Sequence, residues 1–234
     1  MFIYFKIPVI QMKQDMINMT NKKKNILAVG AHGDDIEIGC GGTIALHSKN
    51  ANVYVLIMAT PSYTDYKGKS LRNDEEGNVE EINGANILGA KRINLGFPTK
   101  SVPYSQDSVE RINEIIDKYN IDTIYTHWLH DTHQDHLRTT QSVLSAGRHV
   151  QNILMYEPEY PAGRSFIGFR NQYYVNITST FDIKIDALKQ HKSQVEKYGP
   201  SFIDAVKARS RHRGYEIGTE YAECFEIIRL TQEI

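Results

Sequence analysis

Cysteine is scarce: Cys40 and Cys224 are the only two among 234 residues, and they form no CxxC pair. That excludes a disulfide framework and a cysteine-rich zinc centre, and it fits a reducing cytoplasm. Long apolar runs are missing too. None approaches the roughly 20 residues that span a bilayer. The opening MFIYFKIPVIQMKQDM is broken by Lys6 and Pro8. It has neither a basic n-region nor a small-residue cleavage site, so it does not read as a signal peptide. An excess of one charge is also absent, with 27 basic against 28 acidic residues and a formal net charge of -1. This gives no electrostatic reason to expect nucleic acid or an anionic membrane as partner. Internal repeats and low-complexity linkers are not found. The expectation is an N-terminal extension over residues 1–24, then one domain over 25–234.

Short apolar runs alternate with helical patterns. Asn25–Val29, the β-branched stretch Asn52–Ala59 (NVYVLIMA), Arg92–Leu95, Ile121–Thr126 and Ile153–Tyr156 read as strands. Helices are expected from Cys40 to Lys49, entered through Gly41 and Gly42, and over 75–88 with Gly89 as C-cap. Two more are expected over 107–119, where Val109, Ile112, Ile115 and Ile116 recur at helical spacing, and over 134–149. Beyond Glu157 the chain reads as a loop to about 172, strands near 173–177 and 221–230, and helices near 181–190 and 203–211. The β-α alternation predicts an α/β fold, a Rossmann-like three-layer arrangement around a mostly parallel sheet. Right-handed crossovers bring the strand ends to one rim.

Two polar clusters stand at such ends. GAHGDDIEIGCGGT (30–43) follows the first strand, and HDTHQDH (130–136) follows the fourth. Open α/β sheets keep their sites there. A catalytic zinc takes three protein ligands and leaves a position for water. His32, Asp35 and one or two of His130, His133 and His136 can supply them, with the Asp34 carboxylate beside the site to take a proton from water. The plainer alternatives are aspartates that only cap a helix and solvated histidines; the latter is the reading for His47, His149, His191 and His212. GCGGTI lacks the GxGxxG spacing and follows two aspartates, which would repel a pyrophosphate. Its glycines read instead as points of close helix–strand approach.

These motifs resemble the AHPDDE-type and HPDH signatures of the LmbE/PIG-L family of zinc-dependent N-acetylglucosamine deacetylases. Weaker echoes lie at Glu81, Ala85, Leu88 and Gly89, at Lys184–Gln194 and at Tyr221–Phe225. The resemblance implies an LmbE-like fold and a zinc ion, or another divalent metal, held by His32, Asp35 and His136. It makes Asp34 the general base. His133 would stabilise the tetrahedral intermediate or protonate the leaving amine, and Asp135 would orient His133. The implied reaction is hydrolytic N-deacetylation of a small-molecule acetamido sugar or conjugate, and the implied assembly a homo-oligomer. The rival readings are a metal-dependent hydrolase of another amide or ester, and a non-catalytic sugar-binding module. Gly33 stands in place of the family's proline, Ile36 in place of its glutamate with Glu37 following, and Asn78 in place of an arginine. The pocket walls are expected from the loops at 60–72, 96–106 and 157–172, with substrate contacts unknown.

Overall fold

The computed structural model describes residues 23–64, 67–159 and 165–231. The extension expected over 1–24 lies outside the described residues except for Lys23 and Lys24. The strands are β1 (Asn25–Gly30), β2 (Asn52–Ala59), β3 (Tyr63–Thr64), β4 (Ser70–Arg72), β5 (Lys91–Phe97), β6 (Thr123–Thr126), β7 (Asn152–Tyr156), β8 (Tyr173–Asn176) and β9 (Ala222–Arg229). The helices are α1 (Asp35–His47), α2 (Asp74–Ile87), α3 (Gln106–Tyr119), α4 (Gln134–Ala146), α5 (Phe181–Leu188), α6 (Lys192–Tyr198) and α7 (Pro200–Glu216).

Seven strands form one sheet in the order β5-β2-β1-β6-β7-β9-β8. The first five run parallel, while β9 is antiparallel to both β7 and β8. β1 is buried along its whole length, as its unbroken apolar composition requires of a strand covered on both faces. One apolar layer packs Ile26 and Ala28 under Ile36, Cys40 and Ile44 of α1. The other packs Leu27 and Val29 under Ile112 and Ile116 of α3 and Val143 of α4. A third cluster joins Ile38 of α1 to Ile185 of α5 and Phe202 and Val206 of α7. The result is the α/β three-layer fold expected. The chain leaves β1 toward β2 on one side and returns through β6 on the other. The crevice between their C-terminal ends is the topological switch point, where this architecture opens a site.

Four details differ from the sequence expectation. α1 begins at Asp35, not at Cys40, and carries a break at Cys40 (φ -146, ψ 17). The Asp35 carboxylate accepts the His32 N–H at 2.6 Å and fixes the turn that starts the helix. At the break, the Ile38 carbonyl accepts from Lys184 Nζ and Arg209 Nη2, and Glu223 takes the N–H groups of Gly42 and Thr43. The segment 60–72, expected as loop, contains the β3–β4 hairpin. α6 is an additional helix, and α7 is longer than the helix expected near 203–211. The close approach expected of the glycines is present: a Cβ at Gly39 would lie 2.3 Å from Tyr156 Cδ2.

Candidate active site

The loop after β1 carries His32, Asp34 and Asp35. The segment after β6 carries His127, Asp131, His133, Asp135 and His136. The sheet brings all except Asp135 to the wall of one cleft of about 660 Å³.

Hydrogen bonds fix the proton positions on His32, His133 and His136. The Asp135 carboxylate already accepts the backbone N–H of Lys100 (2.7 Å) and Val102 (3.2 Å). A carboxylate only accepts, so His32 Nε2, 3.0 Å away, donates to it. His32 Nδ1 then faces Asp35 Oδ2 at 3.5 Å. By the same logic His136 Nδ1 donates to Asp131 Oδ2 at 2.8 Å, and its Nε2 faces Asp35 Oδ1 at 3.4 Å. His127 Nε2 meets both the Ala31 N–H at 2.9 Å and Asp35 Oδ2 at 3.0 Å. His133 caps α4: its Nδ1 accepts the Asp135 N–H at 3.2 Å, which leaves the neutral ring with a proton on Nε2. The expected contact between the Asp135 carboxylate and His133 is therefore corrected. The carboxylate turns into the body of the protein and holds His32, and only its backbone N–H meets His133.

Charge follows this arrangement. Burial opposes ionisation of Asp35, but His136 and His127 beside it hold it well below the ordinary carboxylate range. Burial also works against cationic His32 and His136. Asp135 and Asp35 nevertheless raise His32 to about 9, and Asp35 and Asp131 raise His136 to about 10. Burial, with cationic His136 and His32 nearby, lowers His133 to about 4. Two overlapping groups, His32–His133–His136 and Asp35–His127–His136, have donor atoms within 4.8 Å of one another and could hold a metal ion. Imidazole nitrogens with a carboxylate suit zinc and similar divalent ions.

Asp34 differs from its neighbour. It occupies the N-cap position of α1, yet its side chain makes no capping hydrogen bond. It lines the cleft instead. His130 is exposed, packs its ring edge on Trp128, and belongs to neither metal-capable group. Among the histidines read as solvated, His191 is fully buried, with Nε2 3.4 Å from Glu37 Oε1, and His47 bonds the Tyr125 hydroxyl at 2.9 Å. Sequence reasoning missed His127, although its place directly behind β6 is the same signal that marks His32 behind β1. Gly33 has a local reason: a Cβ there would lie 2.6 Å from Glu81 Cγ. Glu81 is held by Arg92, which also reaches Asn78 Oδ1 at 2.7 Å.

The three expected loops all reach the cleft, through Thr60, Ser62 and Tyr63, through Thr99 and Lys100, and through 157–159. Burial pushes Glu159 up to about 7. Further wall comes from α6 and α7, with Gln194, Lys197, Tyr198, Ser201 and Phe202.

The sequence pattern of the PIG-L family (GlcNAc-PI de-N-acetylase) matches residues 27–147, more than half of the chain. The chain belongs to the PIG-L family. It is 31% identical over 185 residues to the uncharacterized deacetylase YaiS of Escherichia coli strain K12, which covers 76% of this chain and 96% of that one. It is 28% identical over 224 residues to the diacetylchitobiose deacetylase of Thermococcus kodakarensis, covering 87% and 82%. The crystal structure of N,N'-diacetylchitobiose deacetylase from Pyrococcus horikoshii superposes with a TM-score of 0.72 at 23% identity, over 96% of this chain and 95% of that one. That likeness establishes the shared fold. Among the described residues no helix is long and apolar enough to cross a membrane.

Proposed function

We propose that this PIG-L family member is a zinc-dependent N-deacetylase that hydrolyses the acetamide of an N-acetylglucosamine-type sugar or sugar conjugate, releasing acetate and a free amine. The observation that carries the reading is the Asp34 carboxylate. The turn bond to the His32 N–H and the proposed metal binding account for Asp35, but neither accounts for an aspartate that lines the cleft and makes no capping bond to its helix. A site that only bound metal or sugar would not require it. The family membership and the deacetylase relatives point the same way.

His32, Asp35 and His136 would hold the ion in this reading, as the family resemblance implies, with His32 Nδ1 and His136 Nε2 both facing the Asp35 carboxylate. A divalent ion held there supplies polarisation of the amide carbonyl and a lowered pKa for water. Asp34 accepts the proton of the attacking water as its oxygen adds to the carbonyl carbon. His133, neutral with a proton on Nε2, donates a hydrogen bond to the carbonyl oxygen as charge develops on it. The proton held by Asp34 passes to the nitrogen as the C–N bond breaks. Asp135 and Asp131 hold His32 and His136 in the tautomers this requires.

The test is acetate and amine release from a panel of acetamido sugars and conjugates by metal-replete protein, with and without a chelator. Turnover that the chelator abolishes and zinc restores is expected. A broad panel with no acetamido sugar turned over would overturn the reading.

A further inference from the structure

The cleft mouth holds cations that the chemistry at its floor does not use. Lys197 Nζ lies 4.1 Å from the ring centroid of Tyr63 and 4.5 Å from that of Tyr198. Lys100 Nζ lies 5.2 Å from the same Tyr63 ring and donates to the Thr64 carbonyl at 2.7 Å. All four residues line the cleft, from three separate segments: the β3–β4 hairpin, the loop after β5, and α6.

Lys197 lies in the cleft wall between two tyrosine rings, and no carboxylate forms an ion pair with it among the described residues. Burial works against its charge, but Tyr198 and Tyr63 hold it above the ordinary lysine range. Lys189 and Lys207, by contrast, are paired locally, Lys189 with Asp186 at 2.9 Å and Lys207 with Asp204 at 3.7 Å. An aromatic face stabilises an ammonium group, yet it is no counter-charge, and the N–H donors keep capacity for a strong acceptor.

The two walls are also tied together. Arg72, at the end of the hairpin, pairs with Glu80 at 3.0 Å, and Glu80 accepts the N–H and hydroxyl of Ser193 on α6, both at 2.7 Å. This buried link fixes Tyr63 relative to the helix that carries Lys197. A binding surface held in place loses less conformational freedom when it is occupied.

We propose that the cleft mouth is a subsite for an anionic substituent, a carboxylate or a phosphate, on the part of the substrate outside the acetamido sugar, with Lys197 as its ligand. The proposal rests on the deacetylase reading and narrows its substrate class to acidic sugar conjugates. The Tyr63 and Tyr198 rings flank the linkage to the sugar.

The experiment compares kcat/KM on matched acetamido-sugar glycosides whose aglycones carry a carboxylate, a phosphate or a neutral group of similar size. It uses the wild type, Lys197→Gln and Lys197→Arg. An anionic aglycone should be preferred over the neutral one by about tenfold, mainly through KM, as a charge-assisted contact provides. The preference should fall with added salt, drop to near parity in Lys197→Gln and persist in Lys197→Arg. The order of carboxylate and phosphate identifies which of the two the subsite takes. Equal use of neutral and anionic glycosides by the wild type, or an undiminished preference in Lys197→Gln, overturns the subsite while leaving the deacetylase reading intact. If no glycoside is hydrolysed, the deacetylase reading fails, and equilibrium binding of the same glycosides decides the subsite. Tighter anionic binding that Lys197→Gln abolishes supports it, and equal affinities overturn it.

Discussion

At the floor of the cleft, His32, His127, His133 and His136 each have one ring nitrogen fixed by a carboxylate or a backbone amide, and Asp35, Asp131 and Asp135 are all engaged. At the mouth, Lys197 rests on tyrosine rings with no carboxylate partner among the described residues. The floor comes from two strand ends; the mouth comes from a hairpin, a loop and a helix far apart in the chain. Under the proposed function the difference separates two tasks. Orienting ligands and a base calls for rigid elements with each proton assigned. Choosing a substrate calls for unspent polar groups on segments that can vary without disturbing the sheet.

The sharpest way to break this division is Asp34→Asn. It keeps the size of the side chain but removes the proton acceptor. We expect kcat to fall roughly 10²–10⁴-fold, the usual contribution of a positioned base, with metal content unchanged by elemental analysis. Full activity in this variant would refute the hydrolytic mechanism.

The next effect concerns protons. In protein stripped by a chelator, His32 at about 9 and His136 at about 10 are cationic at neutral pH. A metal binds only their neutral forms, so it must displace these protons. Their pKa values are raised, so the competition persists well above the ordinary histidine range. Zinc affinity should therefore rise with pH, by up to about 100-fold per unit if two protons leave, and level off near those values. Calorimetry at pH 7 in buffers of different ionisation enthalpy should count about two protons released per ion. An affinity independent of pH between 6 and 8 would remove the two histidines from the ligand set.

A smaller change tests the supports of the floor. Asp131→Asn leaves His136 Nδ1 without its carboxylate and should weaken zinc binding roughly 10–100-fold, read by competition with a chromophoric chelator. Smallest is Gly39→Ala. Its Cβ meets Tyr156, whose hydroxyl bonds the Val29 carbonyl at 3.0 Å. Overpacking of this kind costs about 1–3 kcal/mol, measurable by chemical denaturation; an unchanged midpoint would show that Tyr156 moves aside freely.

The same contrast governs what could be read from the sequence. HGDD and DTHQDH are contiguous and each follows an apolar run, so strand-end logic found the floor before any contact was known. The helix at 107–119 was equally legible, because Val109, Ile112, Ile115 and Ile116 repeat at helical spacing. Other features depended on tertiary partners. The glycines of α1 hid its start at Asp35, since the turn is made by a side chain bonding three residues back. Asp135 was matched to its sequence neighbour His133, whereas its carboxylate reaches His32, about a hundred residues earlier in the chain. His127 stood alone, outside any ligand-like spacing. The hairpin strands have only two and three residues, and α6 only seven, too short for a periodic signal. The mouth was illegible because its chemistry exists only where three such segments meet.

The central claim is that adjacent aspartates divide the labour, Asp35 as ligand and Asp34 as base. The most direct test is the zinc content per chain of Asp34→Asn and Asp35→Asn, purified side by side with the wild type. Asp34→Asn should carry wild-type zinc while Asp35→Asn loses most of it. Loss of zinc from Asp34→Asn with full retention in Asp35→Asn would contradict the account.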